Sequence, residues 1–289
     1  MIGEIEITHN QAQALNVLPY VQISGHLEKC CLLLSANESY ARAEQDIQVL
    51  TGMNVSHSTQ QRLVHRHEFP EVIVSETVKE ISIDGGKVRL RTPLGEPCIW
   101  NDYKAIRLHE LATAAYFKEN AALVDWANRQ PLATPLFGLG DGHDGIWNVF
   151  EGIGTSEQRY EILDWYHLKE NLYNIPGSLG RIKQVEALLW KGNVDAAIEA
   201  FNGCVSSEAV NFVVHLQKHR SRIPNYQYLQ HEGVSIGSGA VESAVKQIAR
   251  RVKLSGAQWD VINVPQLLKH RCAYLNGYFE TFPQSNNDT

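Results

Sequence analysis

The sequence predicts an α/β fold in which a mixed sheet is covered by helices. Three observations lead there. Strand-like runs with β-branched alternation fill residues 80–110, two apolar runs that each lead into a helical pattern follow, and helical periodicity dominates both flanks.

In chain order, Val21 to His67 is helical in pattern. Residues 39–52 carry Ala43, Ile47 and Leu50 at helical spacing, Gly52 to Asn54 read as a turn, and Ser56 can cap a second helix over 55–67 that exposes Gln60, Arg62 and Arg66. Helix, glycine turn and polar second helix resemble a helix-turn-helix, whose second helix would enter a major groove. A hairpin used for packing or dimerisation has the same outline. The strand-like runs are EISIDG (80–85), KVRLRT (87–92) and CIWNDYKAIRLHE (98–110), with a reversal expected at Gly85-Gly86 and a turn over Pro93 to Pro97. A helix is expected over 115–129, ending before Pro131. TPLFGLGD (134–141) and RYEILD (159–164) read as buried strands, each leading into a helix. From Leu168 to Gln230 helices dominate, with Ile182, Val185 and Leu189 on one face and a break at Gly192. Gly237 and Gly239 flank Ser238 before AVESAVKQIARRVK (240–253), whose core stripe is Val241, Val245, Ile248 and Val252. A last helix is expected over 264–279, and the polar ending PQSNNDT reads as disordered.

Composition narrows the function classes. Apolar residues at 44% and charged residues at 20% are those of soluble globular proteins. The net charge of −6 excludes a polycation held to nucleic acid by bulk charge. The first 168 residues carry 13 Lys+Arg and 22 Asp+Glu, and the remainder 13 and 10, so the C-terminal part is the better candidate for meeting a polyanion. No apolar run approaches the roughly 20 residues that span a bilayer. The start, MIGEIEITHN, lacks the basic and apolar regions of a signal peptide, so a cytoplasmic location is expected. Cysteines 30, 31, 98, 204 and 272 make no C-x-x-C spacing, and the 12 histidines make no zinc-finger or H-E-x-x-H pattern. Neither a disulfide framework nor a structural zinc site is indicated.

Three carboxylates stand where an element ends or a helix begins: Asp84 in ISIDGGK, Asp141 in FGLGDGHDGIW and Glu242 in GSGAVES. A carboxylate fixed at a strand end and aimed into a crevice suits Mg²⁺, a hard cation that takes carboxylate and phosphate oxygens. Asp84 before two glycines is also an ordinary turn residue, Asp141 a turn or cap, and Glu242 a first-turn glutamate favoured by the helix dipole.

The motifs ISIDGGKVRLR (81–91), LGDGHDGIWN (139–148), EILDWYHLKENLY (161–173) and, above all, residues 223–277 resemble the insertion-sequence DDE transposases of the ISKra type, with the Mutator superfamily as more distant relatives. The family is usually longer at its N-terminus, with cysteine pairs that this chain lacks. The resemblance implies a ribonuclease H-like core and a division into an N-terminal helical region (1–77), a first part of the core (78–168), a helical insertion (169–235), the C-terminal helices of the core (236–279) and a tail (280–289). It implies Asp84, Asp141 and Glu242 as catalytic metal ligands for Mg²⁺ or Mn²⁺, with two ions about 3.5–4 Å apart. Asp164 and His167 become accessory, or Asp164 the second ligand in its own right. Ser238 and its glycines should bring the Glu242 helix back against the sheet. The implied activity is cleavage and joining of double-stranded DNA at element ends and target by a homo-oligomer associated with the nucleoid. Lys246, Arg250 and Lys253 follow Glu242 at helical spacings and are candidates for holding phosphates, or else a solvated stripe. A non-catalytic DNA-binding remnant and a ribonuclease H-like nuclease are the alternatives.

Overall fold

The computed structural model describes residues 8–14 and 23–282. The ending 283–289, read above as disordered, and the first two residues of the 21–67 helical stretch lie outside that range. The elements are α1 (His9–Ala14), α2 (Gly25–Ser35), α3 (Tyr40–Thr51), α4 (His57–Arg66), β1 (Val78–Leu90), β2 (Ile99–Leu108), β3 (Ala112–Tyr116), α5 (Asn120–Asn128), β4 (Leu132–Gly140), α6 (Asp144–Phe150), β5 (Arg159–Leu163), α7 (Trp165–Tyr173), α8 (Leu179–Trp190), α9 (Val194–Glu199), α10 (Ser207–Lys218), α11 (Tyr226–His231), α12 (Gly239–Val252) and α13 (Val264–Leu275). Among the described residues, no helix is long and apolar enough to cross a membrane.

The described residues form two compact units. One holds Val72–Val88 and Trp100–Gln247; the other holds the residues through Glu71, Arg89–Ile99, and those from Ile248 onward. The first is an α/β unit built on a five-stranded sheet of order β3-β2-β1-β4-β5. β4 runs parallel to both β1 and β5, while β2 and β3 are antiparallel, so the sheet is mixed and compatible with a ribonuclease H-like fold. Its core includes Ile81 and Ile83 of β1, Leu136 and Leu139 of β4, Trp147 and Phe150 of α6, and Leu168 of α7. The helices α8–α11 join the same core through Ile182, Val185, Leu189, Phe212 and Tyr226.

Two strand expectations need correction. Gly85-Gly86 makes no reversal: β1 is one strand of 13 residues that runs straight through both glycines. Neither glycine has a positive φ, and the reason for Gly86 is steric, since a Cβ there would lie 2.2 Å from Tyr103 Cζ. The glycine admits the Tyr103 ring of β2. The third strand is therefore Ala112–Tyr116, which takes residues assigned above to the start of a helix; the helix itself begins only at Asn120.

In the second unit, α2, α3 and α4 bury Cys31, Leu32, Ile47, Leu63 and Val64 in one cluster with Ala273 of α13 and Phe279. Ser39 and Ser56 cap α3 and α4, and Gly52 closes α3 in the left-handed conformation at φ 73°. Leu50, read as a core position, is instead 71% exposed. Arg251 and Arg271 are buried against the end of α2, where Arg251 Nε donates to Ser35 O at 2.6 Å and Arg271 Nη1 to Ala36 O at 3.0 Å. Two cations thus satisfy carbonyls that the helix itself leaves open. The C-terminal helix α13 accordingly belongs with the N-terminal helices, whereas the sequence reading grouped 236–279 with the sheet.

Candidate metal centre

The sheet register aligns three aspartates. Ser82 of β1 pairs with Leu139 of β4, and Leu139 with Ile162 of β5. Two residues onward on each chain segment come Asp84, Asp141 and Asp164. Neighbouring strands lie about 4.8 Å apart, so the register sets the three residues at the same step along adjacent chain segments. Among the described residues the ligand atoms that lie within 4.8 Å of one another are those of Asp164, His167 and Glu242, a group that includes neither Asp84 nor Asp141. Asp141 and Asp164 directly follow the ends of their strands, while Asp84 lies within β1, just past its ladder with β4. Burial pushes the Asp84 carboxyl above its ordinary range; the Gly85 N–H opposes this, and Asp141 and Glu242 push it further up while His167 pulls it down. Those four groups therefore share one electrostatic neighbourhood.

Asp164 is fully buried and has both oxygens occupied. Its Oδ1 accepts from the N–H groups of Tyr166 (2.6 Å) and His167 (3.0 Å), which makes it the N-cap of α7. Its Oδ2 accepts from both the backbone N–H and the hydroxyl of Ser238, each at 2.5 Å. Trp165 N–H also donates to Ile236 O at 2.9 Å. The Gly237-Ser238-Gly239 segment is thereby tied to the β5–α7 junction, and α12 starts beside the sheet as expected of that motif.

That anchorage brings in Glu242, one turn into α12. Its Oε1 lies 3.4 Å from Ser238 Oγ and 3.9 Å from His167 Nδ1, and its Oε2 lies 3.6 Å from Lys246 Nζ. His167 Nδ1 is 3.6 Å from Asp164 Oδ2 and is buried without a hydrogen-bond partner. Asp164, His167 and Glu242 each offer a ligand atom within 4.8 Å of the others, a group that could hold a metal ion. The Ser238 hydroxyl has one proton and faces two carboxylates, Asp164 at 2.5 Å and Glu242 at 3.4 Å. The donors of that group are carboxylate oxygens and one imidazole nitrogen.

Proximity and available lone pairs favour different ligands. Asp164 is nearest to His167 and Glu242, but four donors already fill it. Asp84 and Asp141 each accept one described hydrogen bond, from Gly85 N–H at 2.6 Å and His143 N–H at 2.9 Å, and keep coordination sites open.

The sequence-predicted DNA contacts are scattered. Gln60 is completely buried with its amide donating to Val55 O at 3.1 Å, so the expectation that α4 exposes it is corrected: it braces the turn before the helix. Arg62 is exposed, while Arg66 pairs with Glu28 at 3.2 Å. Lys246 and Arg250 are exposed on α12, and Lys253 just after its end. Ser238 was expected to bring the Glu242 helix back to the sheet, but its bonds to Asp164 were not foreseen, and Tyr166 was missed as a site residue. The only sequence signal was the glycine pair around Ser238. Comparison of the chain with protein-family models returned no match, and none was found among curated proteins.

Proposed function

We propose that this chain is a metal-dependent DNA transposase of the DDE kind, cleaving and joining strands of double-stranded DNA as a homo-oligomer assembled on element ends. The observation that carries the reading is the register that sets Asp84 of β1 and Asp141 and Asp164, just past the ends of β4 and β5, two residues beyond the paired Ser82, Leu139 and Ile162, with Glu242 held beside Asp164 by the Ser238 anchor and within the electrostatic reach of Asp84. Asp84, Asp141 and Glu242 would hold Mg²⁺ or Mn²⁺, which when bound would activate an attacking hydroxyl and stabilise a leaving 3′-oxygen. Asp164 works as a positioning group, because its filled oxygens fix both the start of α7 and the approach of α12. Lys246, paired with Glu242 at 3.6 Å, would exchange that partner for a phosphate, and Arg250 and Lys253 would bind further phosphates.

The test is Glu242→Gln. An amide keeps the helix but neither neutralises nor comparably binds a hard cation, so Mg²⁺-dependent nicking of duplex DNA should disappear while the melting temperature stays close to that of the parent. Retained nicking would refute the role of Glu242, and a parent chain that cannot nick would favour a non-catalytic DNA-binding protein. Joining of a free 3′-end to target DNA separates a transposase from a nuclease. A second ligand set, Asp164 with His167 and Glu242, is favoured by their mutual proximity alone.

A further inference from the structure

Beside the metal centre, Trp165, Lys169, Lys183, Glu186, Ala187 and Trp190 line an open groove of about 470 Å³ between α7 and α8. Its volume lies within the roughly 300–1,000 Å³ of small-ligand clefts. The floor is aromatic: the Trp165 and Trp190 rings are 4.9 Å apart, and Trp190 stacks on Tyr226 with 18° between planes. The rim is cationic. Lys169 neutralises Glu186 at 2.7 Å and lies 5.7 Å from the Tyr173 ring, whose hydroxyl donates to Glu186 at 2.6 Å. Lys183, exposed and with no hydrogen bond or close ion pair among the described residues, shares the field of Glu186 with Lys169, so two lysines face one carboxylate and the rim keeps one net positive charge.

The same chemistry continues to the metal centre. Tyr166, Lys169 and Tyr173 recur at helical spacing along one side of α7, with Tyr166 61% and Tyr173 43% exposed. The Tyr166 ring lies against Gly237, where a Cβ would come within 2.5 Å of its Cδ2, and its N–H is one of the four groups that donate to Asp164. An exposed ring is therefore pinned where the aspartates stand.

We propose that this groove, with the α7 stripe leading to it, binds single-stranded DNA. Duplex base pairs already cover each other's faces, whereas unpaired bases stack on Tyr and Trp while lysines follow the phosphates. The assignment rests on the DNA-cutting reading of the neighbouring centre, since cutting is what frees a strand to enter the groove.

The experiment is fluorescence anisotropy of a labelled oligothymidylate about a dozen nucleotides long, in EDTA, titrated with the full chain over a range of salt. Lys183→Glu should weaken binding and flatten the log–log salt slope by about 0.7 for each phosphate no longer neutralised. Tyr173→Leu should weaken it about 5- to 100-fold, and Tyr173→Phe should restore it. Lys79→Glu, an exposed change elsewhere on β1, should have little effect. The proposal is overturned if Lys183→Glu and Tyr173→Leu bind like the parent, if Lys79→Glu weakens binding equally, or if a duplex competitor loses as much affinity as the single strand. Because no metal is present, a parent that binds the oligonucleotide but cannot nick sinks the cleavage reading alone. A parent that nicks but fails to bind it sinks the groove alone.

Discussion

Asp84 within β1 and Asp164 just past the end of β5 stand at the same step of the register, yet their surroundings assign them opposite tasks. Asp164 accepts four hydrogen bonds from groups that would otherwise be left buried and unpaired. Asp164→Ala should therefore cost about 2–4 kcal/mol, from a lost cap and lost hydrogen bonds to a charge, as read by urea unfolding. Nicking should fall but persist. Asp84, pushed up by burial and by its acidic neighbours, costs the apo fold something to ionise, so Asp84→Ala should leave stability nearly unchanged while abolishing nicking. Complete loss of nicking in both variants would make Asp164 a ligand as well. The carboxylates were legible in the sequence because each sits at the end of an apolar run. The Ser238 anchor was legible only as a glycine pair, because a hydrogen bond between residues 74 positions apart leaves no local trace.

At the scale of elements, the strand-helix pairs β4–α6 and β5–α7 were readable because an apolar run of strand length stops at a carboxylate and a helical period begins. The β1–β2 region was misread for an identifiable reason. Two adjacent glycines signal a turn, and nothing nearby in sequence reveals that Tyr103, across the sheet, needs the space above Gly86. Gly86→Ala makes the distinction measurable. At a turn with ordinary φ the change would be neutral, but here the new methyl meets the Tyr103 ring and should cost about 1–3 kcal/mol in urea unfolding. An unchanged midpoint would contradict the close approach. Gln60 and Leu50 show the same limit on helices: period alone selected a polar face for one and an apolar face for the other, and tertiary packing reversed both.

Across the whole molecule, two buried histidines should steepen the acid limb of stability. Burial pushes His219 down to about 4 and His270 to about 3, from an ordinary value of 6.5. His270 Nε2 faces Leu32 O at 2.8 Å, so it carries the proton of the neutral ring, and Nδ1 is buried with no partner for a second. The unfolded chain takes up protons below about pH 6.5 that the native fold refuses, so the stability these groups contribute is complete above that pH and falls as pH drops towards their folded values. Each should contribute a slope of about 1.4 kcal/mol per pH unit, and His270→Gln, which retains an N–H donor, should remove its share. An acid limb unaltered by that change would contradict the assignment. The central claim concerns the aspartates, and anomalous scattering from a Mn²⁺-soaked crystal addresses it directly. The account predicts Mn²⁺ peaks against the carboxylates of Asp84, Asp141 and Glu242, with Asp164 still bonded to Ser238. Peaks on Asp164, His167 and Glu242 alone, or none at these carboxylates, would contradict it.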